Sequence, residues 1–367
     1  MKVAILGIGT ELTDGQIVNK NASWISHKLK ALGVTTAVHL VVPDDRKLMR
    51  EGLEFCASHG DWLFVTGGLG PTSDDFTRDI VTEWMGVSLK FDESSWQHVN
   101  DRLTSRGYAV KEIQRQQCYF PEGARVLPNS QGTANAFYVE AHGKKVFVLP
   151  GPPREIEAVW EDSIAEWLTQ NTQHLDPYIT RMWDTLGVGE SDIATITEEA
   201  LQGVQVEKGY RVHLPYVEVK ISYFKSQEKE MLAVVEKLDA ALRPYTVVRD
   251  GDDAAELLAR KLATVSSLAL VDEVTGQFLM NRLMPSLRTF MTEKSWSFSR
   301  NRDTKSPAEV HLHILSRDEH TCDVGLEYRG RILRDTVTTP YKTANMKERR
   351  HQYFAEKALL FWLKNLP

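Results

Sequence analysis

The stretch Thr66-Gly-Gly-Leu-Gly-Pro-Thr-Ser-Asp-Asp-Phe-Thr77 decides how the rest of the chain is read. It follows Asp61-Trp-Leu-Phe-Val65, a short apolar run of strand formers. Gly67, Gly68 and Gly70 let the backbone turn tightly and approach a ligand closely. Pro71 stiffens the turn, and Thr72 or Ser73 is placed to cap a helix. Asp74, Asp75 and Asp79 fall in Asp-Asp-Phe-Thr-Arg-Asp-Ile-Val, which reads as the first turns of that helix. A strand, a glycine turn and a helix N-terminus together make an anion site, because free N–H groups and the positive end of the helix dipole face one point. Adjacent carboxylates there repel a bare phosphate and suit one when a divalent cation lies between them. A plain turn with solvated aspartates is the competing reading, and other loops of the same design count against it.

Upstream, Lys2-Val-Ala-Ile-Leu-Gly7 reads as a buried parallel strand. It runs into Gly7-Ile-Gly-Thr-Glu-Leu-Thr-Asp-Gly15, a second glycine loop carrying Glu11; Gly-x-Gly-x-x-Gly is absent, so this is not a dinucleotide fingerprint. Trp24, Ile25, Leu29 and Leu32 recur at helical spacing up to Gly33, then Thr35–Val42 reads as a strand and about Lys47 to Ser58 as a helix. Downstream, Phe120–Asn129 leads through Ser130-Gln-Gly-Thr-Ala-Asn-Ala-Phe137 into another strand. Gly132, Thr133 and Ala134 are small enough to lie against a ligand, while Asn129 and Thr133 equally suit stabilising their own turn. Lys145–Leu149 is a strand ending in Pro150-Gly-Pro-Pro-Arg-Glu155 and a helix from Ile156 to Leu168, again a strand end, a glycine, stiff prolines and a helix start. Alternating β and α units predict a doubly wound α/β domain with a parallel sheet and its ligands at the carboxyl ends of the strands.

The whole chain has 367 residues, 42% of them hydrophobic and 26% charged, with a formal net charge of −6. That balance predicts a soluble protein of two or three domains, without the basic stripe of a general nucleic-acid binder. No apolar run reaches transmembrane length. Cys56, Cys118 and Cys322 are far apart and show neither metal spacing nor a disulfide framework, which suggests a reducing, cytoplasmic setting.

Five ordered motifs carry a resemblance: Gly9-Thr-Glu-Leu, Gly15-Gln-Ile-Val-Asn-x-Asn21, Gly67-Gly-Leu-Gly-Pro-Thr-Ser-Asp-Asp75, Gly132-Thr-Ala and Leu149-Pro-Gly-Pro-Pro-x-Glu155. From residue 1 to about residue 250 the chain resembles the competence/damage-inducible CinA family. The resemblance implies a MoaB/MogA-type (molybdopterin-binding-type) domain over 1–170, a KH-like α+β linking domain over 171–250, and a C-terminal domain similar to nicotinamide mononucleotide deamidase over 251–367. It also implies hydrolysis of the pyrophosphate of ADP-ribose to AMP and ribose 5-phosphate, with a divalent metal (magnesium, manganese or cobalt) and often potassium, in a homodimer.

Splitting a pyrophosphate needs a backbone cradle, a means of offsetting charge, and a carboxylate to orient or deprotonate water. Gly67–Gly70 suit the cradle, Asp74 and Asp75 suit a metal, and Glu11 is either a third ligand or the base. The resemblance extends the candidate substrate-binding set to Gly9, Thr10, Asn21, Thr72, Ser73, Asn129, Gly132, Thr133, Pro150 and Gly151. Two other readings compete: a protein that binds molybdopterin or transfers an adenylyl group to it, and a non-catalytic scaffold or sensor. His27 and His39 read as structural.

The middle segment reads as a small α+β unit, with strands at 180–187 and 210–222, the latter broken by Pro215, and an amphipathic helix from Glu228 to Leu242. No Gly-x-x-Gly clamp is visible, so nucleic-acid binding is not expected. Arg211, His213 and Lys220 suit a phosphate or a dimer contact, but exposed strand charges explain them as well. In the last segment, family members with an active deamidase read Glu-Ser-Cys-Thr-Gly-Gly where this chain has Asp272-Glu-Val-Thr-Gly-Gln277. Glu273 stands in place of the serine, and a carboxylate is no substitute for that acyl nucleophile. Residues 285–308 read as polar and irregular, the domain as shortened, and deamidase activity as lost. His311 and His313 alternate on one strand face without an evident third metal ligand.

Overall fold

Lys2–Ile8 (β1) is buried from Val3 to Ile8, as a strand covered on both faces must be. Ala4, Leu6 and Ile8 join one apolar cluster and Val3 and Ile5 the other, one on each side of the sheet. This computed structural model describes residues 1–291, 294–300 and 307–366. They form two compact units, Met1–Tyr178 and the chain from Ile179 onward.

In the first unit a short helix, Thr10–Thr13 (α1), and Lys20–Lys30 (α2) come after β1. Thr35–Val42 (β2), Arg46–His59 (α3), Trp62–Thr66 (β3), Thr77–Met85 (α4), Leu89–Phe91 (β4), Glu93–Ser105 (α5), Tyr119–Pro121 (β5), Arg125–Leu127 (β6), Ala136–Ala141 (β7) and Lys144–Leu149 (β8) come next. Pro153–Val159 (α6) and Ala165–Thr172 (α7) close the unit, joined by a π-helical turn at Trp160–Ile164. The main sheet runs β2-β1-β3-β8-β7-β6. Met49, Leu53, Ile80 and Val81 of α3 and α4 cover one face; Ile25, Leu29, Ile156 and Leu168 cover the other. Truncating a side chain such as Leu6 or Ile25, both essentially inaccessible, costs about 2–5 kcal/mol.

β2, β1, β3 and β8 are parallel, as expected of a doubly wound sheet, but β7 is antiparallel to β8 and β6 to β7. The reason is local. His142 and Gly143, both at positive φ, make a two-residue hairpin, too short for the crossover that a parallel pair needs.

The second unit holds two sheets. The first is built from Tyr178–Thr185 (β9), Glu207–His213 (β10), Tyr216–Phe224 (β11) and Thr246–Arg249 (β12) in the order β10-β11-β9-β12, with helices Glu190–Ala200 (α8) and Glu228–Leu242 (α9). After Ala254–Leu262 (α10), the other sheet takes Ser267–Asp272 (β13), Ser295–Ser299 (β14), Val310–Asp318 (β15), Thr321–Tyr328 (β16) and Arg331–Thr338 (β17) in the order β14-β13-β15-β16-β17. Phe278–Phe290 (α11) and Lys347–Asn365 (α12) pack with it. The expectation that 285–308 is irregular is corrected where residues are described. Leu279, Leu283 and Leu287 bury one face of α11 through Pro285, and Trp296 and Phe298 anchor β14 on the same core. Polar spacers had hidden both patterns. Residues 292–293 and 301–306 of that stretch lie outside the described residues.

Candidate functional site

Gly7, Thr66 and Leu149 occupy one register row across β1, β3 and β8. The loops after these three strands therefore leave the sheet side by side. The loop after β3 depends on its glycines. Gly67 has φ 101°, and a Cβ there would lie 2.2 Å from the Ile8 carbonyl oxygen; Gly68 has φ 65°, and a Cβ would lie 2.2 Å from Thr77 Oγ1. Thr77 Oγ1 donates to the Gly67 carbonyl at 2.8 Å, which ties the loop to the start of α4. The buried Arg78 guanidinium donates through Nη2 to the Leu69 carbonyl. Burial pulls Arg78 down to about 10, against the nearby charge of Asp75, so it remains a cation at neutral pH.

The Asp74-Asp75 pair lies in the turn before α4, which starts only at Thr77, so the expectation of helical aspartates is corrected for these two, while Asp79 does lie in the first turn of the helix. The expected Thr72 or Ser73 cap is also absent: Phe76 is the N-cap and makes no side-chain cap bond. The cause is Asp75, whose Oδ2 accepts the N–H (2.9 Å) and the hydroxyl of Thr72 and holds a turn instead. Gly70 makes room for this carboxylate, since a Cβ there would lie 2.4 Å from Asp75 Oδ2. Asp74 is exposed, and hydrogen bonding from Thr72 and from its own backbone holds its carboxyl below the usual range.

These loops enclose a cleft of about 340 Å³. Glu11, Asp44, Asp74, Asp75 and Glu155 line it together with Gly9, Gly67, Gly68, Gly70, Gln117, Thr133, Pro150 and Gly151, and none of its lining residues is Lys, Arg or His. Five carboxylates with no cationic side chain among them form a strongly electronegative wall opposite a glycine cradle. A second cleft, of about 330 Å³, lies beyond Asp75 and is lined by Ser73, Asp79 and Gln116 among others.

The other candidates stand behind the wall. Thr10 gives its N–H (2.7 Å) and hydroxyl (3.0 Å) to Asp44 Oδ2 and so aims that carboxylate. Asn21 Nδ2 donates to the Gly151 carbonyl at 2.8 Å. Asn129 is fully buried: its Oδ1 accepts the N–H groups of Gln131 and Gly132, and its Nδ2 donates to Glu155 Oε2 at 2.7 Å. Gly132 exists for that contact, as a Cβ would come within 2.1 Å of Glu155 Oε2. Ser73 opens on the second cleft.

Asp44, Gln117 and Glu155 were not singled out in the sequence. Glu155 closes a quoted motif, and Asp44 follows a parallel strand, which is the available signal for each. Gln117 comes from a 3₁₀ turn, Glu112–Cys118, that has no distinguishing pattern.

In the second unit, Glu273 Oε2 accepts the Ser316 N–H at 3.1 Å. Asp272 is buried, and its carboxylate takes the N–H groups of Val274 (3.0 Å) and Thr275 (2.8 Å) and the Thr275 hydroxyl. The carboxylates of this loop are thus engaged, Asp272 within the loop and Glu273 by β15. His313 faces Gly325 across the β15–β16 register, which is where its ring is accommodated. Among the described residues, no helix is long and apolar enough to cross a membrane.

A family profile described as a probable molybdopterin binding domain matches residues 4–170. The chain is similar to the competence-damage inducible protein of Clostridium novyi (strain NT), 31% identical over 318 residues that cover 83% of this chain and 75% of that protein. It is similar to the namesake of Caldicellulosiruptor bescii at 33% identity over 296 residues, 77% of this chain and 70% of that protein. Among solved structures it is similar to the protein CinA, of unknown function, from Thermoplasma acidophilum, at 29% identity and a TM-score of 0.42, over 46% of this chain and 97% of that one.

Proposed function

We propose, from the premise that this chain belongs to the competence-damage inducible (CinA) protein family and carries its molybdopterin-binding-type domain, that the first unit is a metal-dependent nucleotide pyrophosphatase acting on ADP-ribose or a close relative. The observation that carries this reading is the cleft where the Gly67–Gly70 cradle meets Glu11, Asp44, Asp74, Asp75 and Glu155 with no cationic side chain. A pyrophosphate held on the glycine cradle faces the like charge of the carboxylate wall, so a divalent cation between the two suits the residues present. Asp74 and Asp75 are the first candidates to hold it, and Glu11 is either a third ligand or the base. When bound, the cation offsets charge on the pyrophosphate oxygens and acidifies a water.

The chain's own residues supply the rest. Backbone of the glycine turn approaches the phosphate oxygens where side chains would clash. A carboxylate accepts the proton of the attacking water. Water adds to one phosphorus, the bridging P–O bond breaks, and AMP and ribose 5-phosphate leave. Thr10 and Asn129 act by fixing Asp44 and Glu155. No deamidation is assigned to the second unit.

The match to a molybdopterin-binding profile favours a second reading, in which the same cradle holds a pterin phosphate or an adenylylated pterin. The experiment is AMP release from ADP-ribose with magnesium, manganese or cobalt and potassium, by wild type, Asp74→Asn and Asp75→Asn. Turnover that falls at least about 100-fold in the variants supports hydrolysis at this cleft. Absence of AMP under every metal condition, with tight pterin binding, would replace it by the second reading; no AMP and no pterin binding would leave a scaffold or sensor.

A further inference from the structure

Asp184, His213 and Glu218 come from three strands of one sheet, β9, β10 and β11. On β11, Val217, Val219 and Ile221 point into the apolar core under α8 and α9, so Glu218 points to the opposite face. Arg211 is the register partner of Glu218, and His213 that of Tyr216, so both share that face. Trp183 is buried in the same core, which turns its neighbour Asp184 toward Glu218. His213 Nε2 lies 2.8 Å from Asp184 Oδ1, and one ligand atom from each of the three residues lies within 4.8 Å of the other two.

We propose that Asp184, His213 and Glu218 bind a divalent transition-metal ion of the zinc class. The donor set is an imidazole nitrogen with two carboxylate oxygens, which such ions take and magnesium, an oxygen-seeking ion, does not. All three donors project from paired strands, so the backbone already holds them together and little ordering is left for the ion to impose. Glu218 is only 6% exposed. Its charge is met by Arg211, whose Nη2 donates to Oε2 at 2.8 Å. The Arg211 side chain is 62% exposed, so it sits at the rim and can swing out. Arg211 and the ion therefore compete for one carboxylate. The site is independent of the pyrophosphatase assignment, because none of these residues lines the acidic cleft.

The test uses the full-length chain in an Asp74→Asn/Asp75→Asn background, which removes carboxylates of the first-unit cleft. Protein is equilibrated with zinc chloride, freed of excess ion and analysed for zinc; cobalt absorption in the visible range serves as a second readout. A single bound zinc that is lost in His213→Ala and in Glu218→Gln is the expected result. Because either variant can unfold the sheet, Arg211→Ala supplies an independent arm at the exposed rim. Removing the competitor should tighten zinc binding a few-fold. Zinc content unchanged by His213→Ala and Glu218→Gln, or zinc binding unchanged or weakened in Arg211→Ala, would overturn the proposal and leave a pair of ion pairs.

Discussion

The amide of Asn129 donates to Glu155 Oε2 at 2.7 Å while its oxygen gathers the N–H groups of Gln131 and Gly132. One buried side chain thus builds a loop and aims a cleft carboxylate. Asn129→Ala strands those groups without partners, at a cost of about 1–3 kcal/mol. Asn129→Asp keeps the acceptor but faces Glu155 with a like charge. We expect Asn129→Asp to lower ADP-ribose turnover more than its loss of denaturant stability explains, and Glu155→Gln to restore part of that stability in the double variant. Additive effects in this double-mutant cycle would mean that the two side chains are not coupled.

Gly68 and Gly86 make a matched pair. Their φ angles are 65° and 69°, yet a Cβ on Gly68 meets Thr77 Oγ1 at 2.2 Å and one on Gly86 meets nothing within 4 Å. Alanine at either position carries the left-handed backbone penalty of about 1 kcal/mol. Gly68→Ala must also break the Thr77 tie to the Gly67 carbonyl. Gly68→Ala should therefore lose clearly more stability in urea than Gly86→Ala and should abolish turnover, whereas Gly86→Ala should keep it. Equal losses in the pair would show that the loop has slack.

Much of this cleft could be read in advance because its loops come after buried strands. Apolar runs ending in Gly7, Thr66 and Leu149 signal parallel strands, and parallel strands deliver their loops to one edge. The features that escaped the sequence depend on choices made between neighbours. Pro43-Asp-Asp-Arg46 looks like a helix start, and Asp45 does cap α3 through Leu48 N–H at 2.9 Å. Its neighbour Asp44 turns to the cleft because Thr10, far away in sequence, holds it there. Asp74-Asp75 satisfies a helix-start pattern, yet Asp75 bonds backward to Thr72 and delays the helix. Local propensity does not contain either contact. The antiparallel β7–β8 pair was legible in principle from the short His142-Gly143 connection, and helix and strand alternation elsewhere masked it.

The loop at Asp272–Gln277 should be chemically inert toward amides. Its aspartate is buried under three donors and Glu273 is engaged by the Ser316 N–H. Purified protein should release no ammonia from nicotinamide mononucleotide, and Glu273→Ser alone should not create the activity, since a hydroxyl without a base remains a weak nucleophile. Ammonia release by the wild type would locate a nucleophile elsewhere in this unit.

Burial lowers the His313 pKa from 6.5, with Arg334 adding to the effect. The folded state therefore favours the neutral ring, and the unfolded chain binds the proton more tightly. Linkage then sets the sign: the ring's contribution is intact above about pH 6.5 and is lost as pH falls through the lower, folded value. Burial lowers His39 and His351 in the same direction. Wild-type Tm should thus decline between pH 7.5 and 5.5, and His313→Gln should flatten the decline without removing it, because the other two rings still titrate. The comparison is a thermal melt of both proteins across that range. An unchanged slope in His313→Gln would mean that this ring takes up its proton without cost to the fold, and that Gly325, opposite it in the register, leaves room enough for a hydrated imidazolium.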